Sequence, residues 1–482
     1  MINFWIIFRV LGSLLILEGI FMGMSLPFSL YYNTDDFDAI LISSVLTLVI
    51  GVIIHFSTRY VSRNISKREG YIIVSLVWVV FSLFGSLPFV LSGAIPSFTD
   101  AFFETMSGFT TTGASILNDI EAMPQGLLFW RSTTQWLGGM GIIVLSLAIL
   151  PILGIGGMQL FIAEVPGPTP DKLHPRIKET AKRLWIIYVL FTTAEIFLLM
   201  IGGMDFFDAI NHSFTTMATG GYSTKQASIA SFDSSFIHYV IIFFMFLAGT
   251  NFTLSYFAMH FKFGKVWRNE EFRYYLSFVL GFTILIALGL SFFQDYSFEI
   301  AFRDSLFQVV SIITTTGFVT ADYLNWMPFL AVVIFMLMFF GGSAGSTGGG
   351  MKIIRIVLLL KNSVLELRRL IHPNAIIPVR LNKKAVPQSI VTNVLAFVVI
   401  YMLFTAISTI IISMLGYDLD TSVGAVVACL GNIGPGIGKV GPMDNFAHIP
   451  VFGKWFLSFL MLLGRLELFT VLVLLSPSFW KK

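Results

Sequence analysis

Cysteine is almost absent from this chain. One residue, Cys429, in 482 rules out an intrachain disulfide and any multi-cysteine metal site. Charge is nearly as scarce: Asp, Glu, Lys and Arg make up 12% of the residues, about half the share usual in soluble domains. The seven histidines are scattered without ligand spacing, so they do not suggest a metal centre. The stretches 31–37 and 94–126 contain no lysine or arginine at all. No small-residue cleavage site comes after the first apolar segment, which therefore reads as an anchor rather than a signal peptide.

What fills the space is apolar. Hydrophobic residues are 56% of the chain, phenylalanine alone contributes 50, and the mean hydropathy is +0.84. Ten segments are each about long enough to cross a hydrocarbon core of ~30 Å: 5–30, 38–58, 71–93, 127–155, 184–203, 236–261, 275–294, 328–360, 390–415 and 451–475. The connections between them alternate in charge. Arg59, Arg63, Lys67 and Arg68 mark one set, joined by Lys172, Arg176, Lys178, Lys182 and Arg183, and then by Lys262, Lys265, Arg268 and Arg273. The same set continues with Lys361, Arg368, Arg369, Arg380, Lys383 and Lys384, and ends on Lys481 and Lys482. The intervening set holds only Lys225, Arg303 and Lys439, with Lys454 at a membrane edge. Basic loops stay in the cytoplasm. Ten spans with both termini inside satisfy every loop.

The poorly charged loops repeat a pattern. "DAFFETMSGFTTTGA" begins at Asp100 and holds Gly113, "DAINHSFTTMATGGY" begins at Asp208 and holds Gly221, "DSLFQVVSIITTTGF" begins at Asp304 and holds Gly317, and "TSVGAVVACLGNIGP" begins at Thr421 and holds Gly434. The interval is thirteen residues each time. Asp and Thr are good N-caps, and the apolar residues after them predict a short buried helix. The threonine runs predict extended, stiff backbone after that helix, and the glycine a turn. Each unit is flanked by a span on either side, so the chain reads as two leading helices and then four repeats. Irregular backbone at membrane depth is tolerated only inside protein or beside a wet cavity. Four units converging on one axis meet that condition. Their helices would point negative C-terminal ends inward, and a ring of carbonyls there can replace the hydration shell of a monovalent cation.

Span–pore helix–span, four times in one chain with single-glycine loops, resembles the Trk/Ktr/HKT superfamily of potassium transporters. "FWRSTTQWLGGMGI", "GGSAGSTGGGMK" and "GNIGPGIGKVGP" look like its TrkH-type members, as do the two leading helices. The resemblance implies an all-α integral membrane fold of ten transmembrane helices around a central pore. On that reading the units are 1–70, 71–183, 184–274, 275–389 and 390–482. It also implies a potassium-translocating subunit of a bacterial inner membrane, a homodimer, and a cytoplasmic TrkA-type nucleotide-binding regulatory partner. Potassium would be the transported ion. No cofactor is expected in this chain, the nucleotide belongs to the partner, and no nucleic acid is involved. Carried over residue by residue, the selectivity filter is Thr111, Thr112 and Gly113; Thr219, Gly220 and Gly221; Thr315, Thr316 and Gly317; and Asn432, Ile433 and Gly434, acting mainly through backbone carbonyls. The fourth loop departs from the threonine pattern. In plant relatives a serine at the first filter glycine accompanies sodium preference, so four glycines favour potassium.

Other marked residues carry competing readings. The run 341–350, with Gly341, Gly342, Ser343, Gly345, Gly348, Gly349 and Gly350, lies inside the eighth segment. Close helix packing is one reading; an intramembrane gate below the filter is the other, because so many glycines disfavour a continuous helix. It also spells G-x-S-x-G around Ser343, but no histidine lies on the flanking spans to serve a nucleophile there. It is not a phosphate-binding loop either, because Lys352 follows Met351. Arg465 falls mid-span and must face protein or water. It reads as a buried partner of Glu195 or of glycine-loop carbonyls, or as a positive charge bordering the pore. Glu18 and Glu195, also within spans, are either satisfied hydrogen-bonding groups or the relay of a proton- or sodium-coupled symporter. Cys429 reads as a small packing residue.

Overall fold

Long apolar runs without charge leave backbone groups no partner but one another in lipid, so they coil. The computed structural model describes residues 2–58, 60, 66–144, 177–372 and 377–481. It is mostly helical. A leading pair, α1 (Phe4–Gly23) and α2 (Phe37–Ser57), packs closely because a Cβ on Gly51 would lie 2.8 Å from the Ile16 nitrogen and 2.9 Å from the Gly12 carbonyl oxygen. Small residues permit such approach between spans.

Four units come after this pair. The first has α3 (Lys67–Gly85), α4 (Phe98–Phe109) and α5 (Gln125–Val144). The second has α6 (Ile177–Ile201), α7 (Phe206–Met217) and the broken pair α8 (Ser235–Ala248) and α9 (Phe252–Met259). The third has α10 (Glu270–Phe293), α11 (Phe298–Ile313) and α12 (Pro328–Leu337), and resumes as α13 (Ile353–Ile371). Between α12 and α13, β1 (Phe340–Gly341) pairs in parallel with β2 (Met351–Lys352). After α13 a small hairpin pairs β3 (Arg380–Leu381) with β4 (Lys384–Ala385). The fourth unit has α14 (Gln388–Ser413), α15 (Leu419–Leu430) and the pair α16 (Val451–Arg465) and α17 (Phe469–Leu475).

The short helices α4, α7, α11 and α15 form the core: Ala101 to Phe109 are buried throughout, and so are Gly424 to Leu430. The long helices turn apolar side chains outward instead, as at Ile284, Phe292, Val399 and Ile410. That is a membrane protein turned to lipid.

Three expectations are corrected. First, Asp100, Asp208 and Thr421 are not N-caps. The caps are Ser97, Asp205 and Asp418, whose side chains accept the backbone N–H groups of those very residues, three positions on. Asp304 lies inside α11, which begins a turn earlier than its counterparts, after Ser297. Second, the threonine tetrads are not extended from their start: their first two threonines close the helix before them. Third, the expected spans are not all continuous. Among the described residues six helices are long and apolar enough to cross a membrane, or up to eight if each bent pair is one span. The α8–α9 pair bends by 112° and the α16–α17 pair by 118°; the break of the eighth segment at the glycine run is the one its glycine content led us to expect. The latter part of segment 127–155, and Arg59, Arg63, Lys172, Arg176 and Lys482, lie outside the described residues.

Candidate functional site

Each short helix ends in the same way. The Thr111 N–H donates to the Gly108 carbonyl (2.9 Å) and the Thr112 N–H to that of Ser107 (2.8 Å). Thr219 and Gly220 repeat this on Thr216 and Thr215 at 2.9 and 2.8 Å; Thr315 and Thr316 repeat it on Ile312 and Ser311 at 3.0 and 2.8 Å. Asn432 and Ile433 do so on Cys429 and Ala428 at 3.3 and 2.9 Å. This paired 5→2 and 6→1 bonding is a Schellman closure, whose turning residue must be left-handed. Thr111, Thr219, Thr315 and Asn432 take φ of 52°, 54°, 61° and 52°. Glycine normally fills such a position; a β-branched residue there is an outlier and costs roughly 1–2 kcal/mol. Because C=O and N–H of a trans peptide point in opposite directions, anchoring the Thr112 N–H back on its helix throws the Thr111 carbonyl forward. The same holds in all four loops.

The glycines close the ring. Gly113, Gly221, Gly317 and Gly434 have φ of 83°, 74°, 80° and 98°. A Cβ on Gly113 would lie 2.2 Å from the Gly220 carbonyl oxygen, and one on Gly221 2.0 Å from that of Thr316. One on Gly317 would lie 2.0 Å from the Ile433 oxygen, and one on Gly434 2.9 Å from that of Thr112. Each loop therefore abuts the next, and the fourth returns to the first. All four glycines line one cavity of about 90 Å³, which Ser115, Asp444 and Asn445 also border. The four helix C-termini behind the ring make its inner side favourable to a cation.

Side chains tie the loops differently. The Thr110 and Thr112 hydroxyls bond each other at 2.8 Å, as Thr314 and Thr316 do at 2.7 Å. The second loop has Ala218 and Gly220 at those positions and is held by Gln135 of α5. In the fourth, the Asn432 amide donates to Thr112 Oγ1 and to the Met461 carbonyl, both at 2.9 Å. Behind the first two loops, Arg131 pairs with Glu104 at 2.7 Å and donates to the Ser223 carbonyl at 3.0 Å. Its guanidinium also lies 3.5 Å above the centre of the Tyr222 ring.

The run 341–350 sits directly under this ring. The Gly349 N–H donates to Thr315 Oγ1 (2.7 Å), and Thr347 Oγ1 to the Met217 carbonyl (3.0 Å). A Cβ on Gly349 would lie 2.8 Å from the Gly431 oxygen. The run thus reaches the ends of α7, α11 and α15 together. On its other side the Ser343 N–H donates to the Gly249 carbonyl (2.8 Å) and the Ala344 N–H to Glu271 (2.7 Å). Arg465 is buried and donates to the carbonyls of Thr347 and Gly138, each at 2.9 Å. Of its two expected partners it takes the glycine-run carbonyl and not Glu195.

Glu18 and Glu195 are fully buried, and neither carboxylate has a hydrogen-bond partner among the described residues. The Thr216 hydroxyl lies beside Glu195 but donates to the His212 carbonyl at 2.7 Å. The Ser343 hydroxyl is buried without a partner as well, so no base reaches it among the described residues. Cys429 is buried within α15. Sequence reasoning missed Glu104, Arg131, Gln135 and Glu271. The signal for three of them was polarity inside apolar segments, above all in "FWRSTTQW", since such groups must be satisfied within the protein.

A family model described as "TrkH: Cation transport protein" matches residues 37–482. The chain belongs to the TrkH family. This is a family of transport proteins, not of enzymes. The TrkH-family chain is 44% identical to the Trk system potassium uptake protein TrkH of Salmonella typhimurium, over 100% of both chains. It is 34% identical to the Trk system potassium uptake protein TrkG of Escherichia coli, covering 99% of this chain and 98% of that one. Its structure is similar to the crystal structure of the potassium transporter TrkH from Vibrio parahaemolyticus, with a TM-score of 0.91 and 39% identity over 100% of both chains.

Proposed function

We propose that this integral membrane protein is the potassium-translocating subunit of a Trk uptake system, and that the ion passes through the four-loop ring. The observation that carries the reading is ring closure: four helix ends with one geometry, each glycine packed against the carbonyl of the next loop. A pore built this way offers backbone oxygens at fixed spacing to a dehydrated cation. The names of its relatives, all potassium uptake proteins or transporters, supply the choice of ion. The filter is Thr111–Gly113, Thr219–Gly221, Thr315–Gly317 and Asn432–Gly434. The run 341–350, pinned by Arg465, is the gate. The protein sits in the inner membrane with both termini in the cytoplasm, as a homodimer controlled by a TrkA-type nucleotide-binding partner. Gly113→Ser tests the filter in reconstituted flux. Its Cβ enters the space of the Gly220 oxygen, so potassium over sodium selectivity should fall at least tenfold; unchanged selectivity would falsify the assignment.

One observation favours a second reading. Glu18 and Glu195 are buried carboxylates without partners among the described residues, the kind of group that binds a proton or sodium in a coupled symporter. Reversal potentials separate the two. A channel-like protein reverses at the potassium equilibrium potential, and a coupled one shifts with the pH or sodium gradient.

A further inference from the structure

The second loop lacks both hydroxyls that tie the first and third, yet its backbone has the same shape. What replaces them comes from another unit. The Gln135 side-chain amide donates to the Gly220 carbonyl at 2.6 Å, and its carbonyl oxygen accepts the Tyr222 N–H at 3.0 Å. Gln135 is fully buried. A Cβ on Gly220 would lie 2.4 Å from Gln135 Cδ and 2.4 Å from its Oε1, so residue 220 is glycine because Gln135 occupies the side-chain space. The two bonds set two peptide planes. Nε2 fixes the Gly220 carbonyl where it meets Gly113 of the first loop. Oε1 holds the Tyr222 N–H, and in a trans peptide that turns the Gly221 carbonyl the opposite way, off Gln135.

We propose that Gln135 is a selectivity-determining positioning residue: it aims the Gly220 and Gly221 carbonyls of the second loop from the first unit and never itself contacts the ion. The proposal rests on the filter reading. It assigns to α5 the bracing of a loop that lacks the hydroxyl pair of loops one and three. A carbonyl free to rotate by a few tens of degrees tolerates the shorter ligand distances of sodium, so loss of Gln135 selectively loosens discrimination.

The test is the potassium-to-sodium permeability ratio of purified protein in proteoliposomes, for wild type, Gln135→Met, Gln135→Glu and Gly113→Ser. Methionine keeps the length and removes both polar atoms. Glutamate in its neutral form keeps an acceptor for Tyr222 and a donor for Gly220. The expected result is a ratio reduced at least tenfold in Gln135→Met, the equivalent of one of its two lost buried hydrogen bonds, with potassium flux retained and most of the ratio restored in Gln135→Glu. A wild-type ratio in conducting Gln135→Met overturns the proposal. If that variant does not insert, Gln135→Asn, too short to reach both groups, decides: a lowered ratio supports the proposal, and a wild-type ratio overturns it. A Gly113→Ser protein that keeps the full ratio overturns the filter reading instead, which separates the two failures.

Discussion

Glu271 opens α10 next to the intramembrane run, and truncating it should release that run. Its carboxylate accepts the Ala344 N–H at 2.7 Å, is buried, and feels the opposite charge of Lys352, whose ammonium donates to the Gly348 carbonyl. Its neighbour Glu270 pairs with Lys361 of α13, and the Glu270 N–H donates to Asn382 in the β3–β4 hairpin at 2.8 Å. One helix start therefore grips the proposed gate with one carboxylate and α13 with the other. Glu271→Ala removes a buried hydrogen bond and leaves the Ala344 N–H unpaired, a loss of about 1–3 kcal/mol. If that loss falls on the run-in-place state, a middle value of about 2 kcal/mol shifts the closed-to-open ratio roughly 30-fold. Glu271→Gln keeps an acceptor for Ala344 and should shift it only a few-fold. The assay is rubidium uptake into proteoliposomes without any regulatory partner, each variant normalised to inserted protein. Basal uptake should rise in Glu271→Ala with selectivity unchanged. Wild-type basal uptake in a correctly inserted Glu271→Ala protein would refute the reasoning, because the run would then hold its place without this anchor.

The remaining predictions concern stability. Breaking the buried Arg131–Glu104 pair on one side, as in Glu104→Gln, should cost about 3–5 kcal/mol. It should lower the melting temperature of detergent-solubilised protein, while Glu104→Leu with Arg131→Met should recover part of the loss; equal melting for all three would show that the pair is not a brace. At the exposed N-cap of α15, the Thr421 side chain and backbone N–H hold the Asp418 carboxyl below the usual aspartate range. A lowered folded value means that the contribution of Asp418 is complete above the ordinary aspartate pKa and is lost as pH falls through the lowered one. Melting curves from pH 7 down to pH 3 should therefore lose part of their acid sensitivity in Asp418→Asn, which keeps the cap; an unaltered pH profile would count against this cap.

The repeat was readable because a Cβ at each of these glycines would press on the next loop's carbonyl, so the same letter recurs at one interval. The caps were harder. Ser97 and Asp100 both suit a helix start, one by capping and the other by facing the helix dipole, and letters alone do not say which plays which part. The left-handed threonines ran against local preference. Thr111, Thr219 and Thr315 look extended in isolation and are bent by closure of the helix before them. Gln135 and Gly220 lie 85 residues apart, so no local pattern links them.

Hydrophobicity, cation placement and the thirteen-residue interval determined by themselves that this is a membrane chain with four like units, since period and polarity are properties of the chain read in order. Only the tertiary structure decided which carbonyl meets which glycine, that Arg465 bonds the glycine run rather than Glu195, and that a glutamine of the first unit shapes the second loop. Those contacts join residues far apart in sequence, and their geometry exists only once four helix ends share one axis.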